Sequence, residues 1–394
     1  MIPAALKGTQ SAMKKLFLYL KKEPMLPVAV LAAAVSLVIT PPTKALLSAI
    51  DWRTLGTLFM MLTVLEGFKQ ENVFRPLLRL TGRISTMAGL SLFLVFGVFF
   101  SSMFVTNDVS LLIFVPLTIT LFRSAGKEKY ILPVISMENI AAIRGSLLMP
   151  FGSPQNLFLY GKAEVSLRRF MLHMSPLCLM SAVLLVVFIF FLYRKDPRES
   201  TIHEAGSGKE GESWRLTPRR GAYLALFAIV LTVIVTRTSL WPYALAVVLI
   251  GAAIADIKLF LRVDYVLLFT FLCFFLFSSS IANNPAVAAF LKESVAGREY
   301  WWAIGLSQII SNVPATIVLY PFTQNFAGLI YGADTAGLCS LIGSLASVIN
   351  YRIYVREYPK NGRKFIKTFT LVSWAFFAIV AIPGLLLSAW SFFS

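Results

Sequence analysis

From Pro24 onward the chain alternates apolar runs of roughly 16 to 27 residues with short polar segments. A helix needs about 20 apolar residues to cross the hydrocarbon core of a bilayer. The pattern therefore predicts full spans near 26–46, 52–68, 130–160, 170–193, 221–237, 241–256, 264–283, 335–351 and 366–391. Two more segments, 85–122 and 300–324, are interrupted by Thr106-Asn107-Asp108 and by Ser311-Asn312. Each arm looks rather short to cross alone, so both predict re-entrant helical hairpins that enter and leave on one side. Non-helical backbone at that depth is tolerated only where protein or a water-filled cavity surrounds it.

Composition supports this reading: 57% of the 394 residues are hydrophobic and 14% charged, against about 25% charged in soluble domains. A net charge of +17 would ordinarily raise a nucleic-acid partner. Here the basic residues sit between the apolar runs and act as topology signals, so the expected surroundings are lipid and no nucleic acid. With Lys7, Lys14, Lys15, Lys21 and Lys22 cytoplasmic, 27 of the 36 Lys and Arg residues fall on the cytoplasmic side, as the positive-inside rule requires. The C-terminus is then outside. The basic N-terminus lacks a small-residue cleavage site, which predicts no cleaved leader. The expected organisation is a cytoplasmic N-terminus 1–25, a membrane half 26–193, a cytoplasmic linker 194–220 and a second half 221–394, in a multi-pass protein of the cell (inner) membrane. Gly206, Gly208, Gly211 and mixed charge mark the linker.

The two halves resemble each other. Phe104 to Thr118 matches Ile309 to Thr323, with Asn107, Pro116 and Thr118 recurring as Asn312, Pro321 and Thr323 at one offset of 205. Ile143-Arg-Gly-Ser-Leu147 pairs with Ile342-Gly-Ser-Leu345, and Ile50-Asp-Trp52 with Val263-Asp-Tyr265. In the charge-derived topology the first hairpin opens from the cytoplasm and the second from outside. Inverted repeats with interrupted segments at corresponding positions point to a transporter's site near the bilayer midplane.

At Thr106-Asn107-Asp108-Val-Ser-Leu-Leu-Ile-Phe-Val-Pro116, Pro150-Phe-Gly-Ser-Pro-Gln-Asn156 and Ser311-Asn312-Val-Pro314 the chain resembles the ion transporter superfamily. The similar branch holds arsenite permeases, sodium/proton antiporters and citrate carriers, and the likeness runs from Asp51 onward. The resemblance implies an all-α polytopic fold with a scaffold domain and a mobile transport domain, usually in a homodimer, moving as an elevator. It also implies two unwound helices, breaking near Gly145 to Asn156 and Gly343 to Asn350. Arg144 and Met149 depart from the small or hydroxyl residues of the family pattern, and Val313 stands where dicarboxylate carriers have Thr.

Hairpin tips expose backbone groups without helical partners, and small polar side chains there can complete a solute's coordination shell. Thr106, Asn107, Ser311 and Asn312 fit that role, or alternatively cap their helices. Asp108 is an ionisable group at membrane depth, a functional position by default, suited to a proton, a sodium ion or a pairing with Arg144. A sodium site near Asn107, Asp108 and Asn312 is the form this takes, with Na+ or H+ as coupling ion and no other cofactor. Arg144, in the predicted break, suits a carboxylate or oxyanion, or serves as counter-ion to Asp108 or Glu138. Glu138 and Glu66 are weaker candidates. Gly145, Ser146, Gly152, Ser153, Gln155 and Asn156, with Gly343 and Ser344 in the second half, line the breaks, where Pro150, Pro154 and glycine free carbonyls for a cation.

The leading expectation is a secondary active transporter of a small anion or oxyanion, a di- or tricarboxylate or an inorganic oxyanion such as arsenite. A sodium/proton antiporter without organic substrate is the alternative, and an ion channel the alternative of another class. An enzyme is not expected. His173 and His203 are the two histidines, and Cys178, Cys273 and Cys339 each lie alone in an apolar run. No phosphate-binding glycine-rich loop ending in Lys occurs, which argues against direct use of ATP by this chain and leaves an associated ATPase subunit open.

Overall fold

The computed structural model describes residues 25–39, 50–71, 73, 81, 84–196 and 217–389. The basic N-terminus and most of the polar stretch 194–220 lie outside the described residues. Those that are described form sixteen α-helices and no strand. In order they are α1 (Met25–Ile39), α2 (Trp52–Gln70), α3 (Met87–Val105), α4 (Asn107–Ser124), α5 (Ile131–Ser146), α6 (Pro154–Lys162), α7 (Leu167–Leu192) and α8 (Pro218–Thr236). The second half holds α9 (Trp241–Asp256), α10 (Tyr265–Ala282), α11 (Pro285–Val295), α12 (Glu299–Ile310), α13 (Asn312–Leu319), α14 (Phe326–Ala336), α15 (Leu345–Glu357) and α16 (Gly362–Ser388).

The outer helices show apolar side chains to their surroundings. On α7, Leu172, Leu179, Val183, Val187 and Phe190 form one exposed stripe, and α9 exposes Tyr243, Val247, Ile250 and Ile254 while burying Val248 and Ala252. Such faces suit hydrocarbon rather than water. Polar and small residues turn inward instead. Seven of the described helical segments are long and apolar enough to cross a membrane, including both arms of the first hairpin.

That last point corrects the expectation of short arms. The arms α3 and α4 have 19 and 18 residues and reverse at a single residue, Thr106. Asn107 and Asp108 already belong to the first turn of α4, so the polar break takes no length from either arm. The arms run antiparallel: Ser101 Oγ donates to Ser110 Oγ at 2.9 Å, and a Cβ on Gly97 would strike the Phe114 ring. In the second hairpin α12 and α13 are shorter, 12 and 8 residues, and a 3-10 turn at Tyr320–Phe322 takes over at Pro321. The matching Pro116 lies inside a continuing α4.

The predicted span 335–351 is also corrected. It is a broken helix, with α14 ending at Ala336 and α15 starting at Leu345. Asp334 and two glycines, Gly328 and Gly332, dilute the apolar run of α14, which hid its extent. The first break spans 147–153 rather than Gly145 to Asn156, because Gly145 and Ser146 remain helical and Pro154 opens α6, a position where its missing N–H is harmless. The second break spans 337–344, so Asn350 lies on α15.

Close packing joins these elements. A Cβ on Gly145 of α5 would lie 2.0 Å from the Phe99 carbonyl oxygen of α3. Across the halves, Asn139 Nδ2 of α5 donates to Ser347 Oγ of α15 at 3.0 Å, and Asn350 Nδ2 donates to the Ile135 carbonyl at 2.7 Å. A separate trio, α2, α8 and α9, is held by Trp241 against Gly56, Tyr223 against Gly67 and Phe68 against Phe227.

Gly145→Ala is expected to destabilise the protein by about 2 kcal/mol or more, because a backbone carbonyl cannot step aside. Gly305→Ala on α12, where nothing lies within 4 Å of the new Cβ, should shift stability by less than about 1 kcal/mol. Melting temperatures in detergent check both; equal shifts would refute the steric account.

Candidate functional site

Both hairpin tips adopt one unusual backbone conformation. Thr106 has φ 72° and ψ 154°, and Ser311 has φ 69° and ψ 160°. They are separated by 205 residues, the offset of the sequence match. This region is nearly reserved for glycine and costs about 1–3 kcal/mol per residue. Neither Thr106 nor Ser311 caps the helix it precedes. The following asparagines act locally instead: Asn107 Oδ1 accepts from Asp108 N at 2.9 Å, and Asn312 Oδ1 from Val313 N at 3.0 Å. The correspondence extends to both threonines of the match. Thr118 Oγ1 donates to the buried Glu138, and Thr323 Oγ1 to the buried Glu299 at 2.9 Å.

Asp51 and Asp264 repeat the same economy. Their backbone angles are −80°, 78° and −77°, 80°, and each carboxylate accepts from the backbone N three residues on at 2.9 Å. They cap α2 and α10 in the same way.

The tips meet in a cavity of about 100 Å³. Its lining brings together Asn107, Asp108, Gln155, Ser311, Asn312 and Ser344, six of the residues singled out from sequence. The N-termini of α4 and α13 both reach it, and helix N-termini favour negative charge. Asp108 Oδ1 and Gln155 Oε1 are buried without a hydrogen-bond partner among the described residues. Both are acceptor oxygens, the type that a hard cation or a proton requires. Asp264, Thr270 and Arg352 also line the cavity, and sequence reasoning missed them as site residues. Asp264 had shown itself as a repeat match, and Arg352 as a basic flank.

The remaining predicted residues shape the breaks from behind. Gly152 folds back so that a Cβ would lie 2.4 Å from the Ser146 carbonyl oxygen, and Gly343 does the same at 2.2 Å from that of Ala336. The structural partner of Gly343-Ser344 is therefore Gly152-Ser153, not the Gly145-Ser146 of the aligned Ile143 and Ile342 segments. Ser153 Oγ accepts from Asn156 N at 3.4 Å, and Asn156 Nδ2 donates to the Ser146 carbonyl at 3.1 Å, closing the end of α5. On the other side Gln308 Nε2 of α12 donates to the Ala336 carbonyl at 3.2 Å.

Arg144 sits away from the cavity. Its guanidinium is fully buried and pairs with Asp334, itself 2% exposed, while Nη2 donates to Thr335 Oγ1 at 3.3 Å. Its partner is thus neither Asp108 nor Glu138. Asp334 was not foreseen, although an acid inside the apolar run 326–339 was a visible signal. Glu66 pairs with Lys69 at 3.1 Å, on the α2 surface.

Residues 16–333 match the family model described as citrate transporter. The inner membrane protein YbiR of Escherichia coli strain K12 is 33% identical over 349 residues, covering 87% of each chain. An uncharacterized transporter of Methanocaldococcus jannaschii is 27% identical over 328 residues, covering 82% of this chain and 85% of its own.

Removing one member of the Arg144–Asp334 pair, by Arg144→Met or Asp334→Leu, should cost about 3–5 kcal/mol. The double variant should cost less than the sum of the two, and strict additivity in thermal unfolding would refute the coupling. Thr106→Gly and Ser311→Gly should each raise stability by about 1 kcal/mol as the backbone strain is relieved; a loss in both would show that the side chains matter more than the dihedrals.

Proposed function

Because the chain belongs to the citrate transporter family, whose members are membrane transporters rather than enzymes, we propose that it moves a small anion by secondary active transport, coupled to Na+ or H+. The observation that carries the proposal is the cavity itself. Two helix N-termini and the amides of Asn107 and Asn312 offer donors to an anion, beside two unpartnered acceptor oxygens on Asp108 and Gln155 that suit a cation.

Coupling follows from charge. An anion entering beside the Asp108 carboxylate meets like charge, and at close range in a poorly screened cavity that repulsion amounts to several kcal/mol. A sodium ion or proton on Asp108 removes it, so cation and anion bind together and neither travels well alone. Val313 stands at the second tip where the first has Asp108, so the two tips supply one carboxylate between them. Arg352 at the cavity wall adds attraction for the anion. Movement is by an elevator: α3–α6 and α12–α15, two inverted repeats, carry the site across a scaffold that includes α2, α8 and α9. The solute class is a di- or tricarboxylate or an inorganic oxyanion such as arsenite.

Asp108 also favours a second reading, a sodium/proton antiporter without organic solute, since one titratable oxygen ligand suffices for exchange. Both readings are separated in liposomes by solid-supported-membrane currents with citrate, succinate, sulfate, phosphate and arsenite, with and without sodium and pH gradients. Solute current that requires a cation gradient, and that falls about tenfold or more in Asp108→Asn and in Asn312→Ala, supports coupled anion transport. Cation exchange indifferent to every solute supports the antiporter. Solute current undiminished in Asp108→Asn would sink the assigned coupling.

A further inference from the structure

A second cavity, of about 140 Å³, lies at the N-terminal end of α2, where the C-terminal ends of α6 and α8 converge. Asp51, Arg53, Thr57, Tyr160, Lys162 and Arg237 line it. Three cations thus face one carboxylate. That carboxylate is already engaged: Asp51 pairs with Lys162 at 2.8 Å and accepts from Thr54 N and Thr54 Oγ1, both at 2.9 Å. It leaves the charges of Arg53 and Arg237 without an acid of their own in the lining.

Arg237 is held in place by contacts other than an ion pair. Its guanidinium lies 3.9 Å from the centre of the Tyr160 ring, one nitrogen donates to the Val165 carbonyl, and Nε is buried with no hydrogen-bond partner among the described residues. The hydroxyls nearby are spent on backbone carbonyls, Tyr160 on Val235 at 3.3 Å and Thr57 on Arg53 at 2.9 Å. The donors left for a ligand are those of Arg53, Arg237 and Lys162. Guanidinium forks match the paired oxygens of carboxylate, sulfate and phosphate groups. At the equivalent positions of the second half, 213 residues on, Arg53 and Thr54 become Val266 and Leu267, so this charge belongs to one end of the molecule alone.

We propose that this cavity binds an oxyanion group through Arg53 and Arg237, at a site separate from the one between the hairpin tips. In the charge-derived topology it opens outside. The oxyanion is that of a soluble anion or of a lipid phosphate. The claim concerns binding and does not depend on the transport reading.

The test is titration calorimetry of sulfate into the full-length protein in phosphatidylcholine nanodiscs, with chloride as the balancing anion. Arg53→Gln and Arg237→Gln should each weaken sulfate about tenfold, Arg53→Lys should retain part of the affinity, and Asn312→Ala should leave this binding in place. Phenylglyoxal labelling of the unaltered protein, read peptide by peptide, gives a measure free of any folding defect: sulfate should slow modification of Arg53 and Arg237. Repeating the titration with phosphatidylglycerol in the disc assigns the source, since weaker sulfate binding means that the headgroup competes and unchanged binding means a soluble ligand. Unprotected arginines, no sulfate binding at millimolar concentration, or binding lost to Asn312→Ala and untouched by both arginine variants would each overturn the proposal.

Discussion

The fold depends on burying one ion pair. Moving a guanidinium and a carboxylate out of water costs several kcal/mol per ion, which is repaid only when they meet with good geometry. Arg144 and Asp334 each stand two residues before the end of a helix, α5 and α14, and each helix then breaks. The requirement that the charges meet therefore fixes the two breaks side by side. Part of the central cavity's wall is set by those two ends: Gln155 just beyond one break, Ser344 at the close of the other, and the hairpins packed against α5 and α14, while Asp264 and Thr270 close it from α10.

The breaks themselves would be costly if their carbonyls faced hydrocarbon unpaired. They are closed differently. Asn156 reaches back to Ser146 in the first half, whereas Gln308 of the neighbouring hairpin reaches Ala336 in the second. The backbone plan is common to both halves, while the side chains that complete it are not. The same asymmetry appears at the tips, where Asp108 faces the cavity from one side and Val313 from the other.

Much of this was legible in the sequence because it is written in residue type and spacing. The offset between Thr106-Asn107 and Ser311-Asn312 points to two corresponding tips, and Asp51 and Asp264 to two corresponding helix starts; the shared dihedrals and the matching caps appear only in the structure. What escaped was information that exists only between elements. Arg144 announced a charge but not its partner, since 190 residues separate it from Asp334. The apolar run of α14 carries two glycines and an acid, so hydropathy placed the span too late. Arm length misleads because the polar residues at the first tip look like an interruption, whereas a single residue in an unusual conformation makes the whole turn. Cavity-lining Arg352 looked like one more topology signal.

The approach of Gly145 to the Phe99 carbonyl has a meaning beyond packing. A saturation screen for growth on a solute would find position 145 intolerant, and its place next to Arg144 would tempt a reader to write it into a recognition motif. The intolerance would be that of a joint where α3 and α5 touch backbone to backbone. Gly152 and Gly343, which crowd the last carbonyls of α5 and α14, would give the same signature. Glycines shared among relatives of different specificity at these places would therefore report how the helices fit together rather than the identity of the solute.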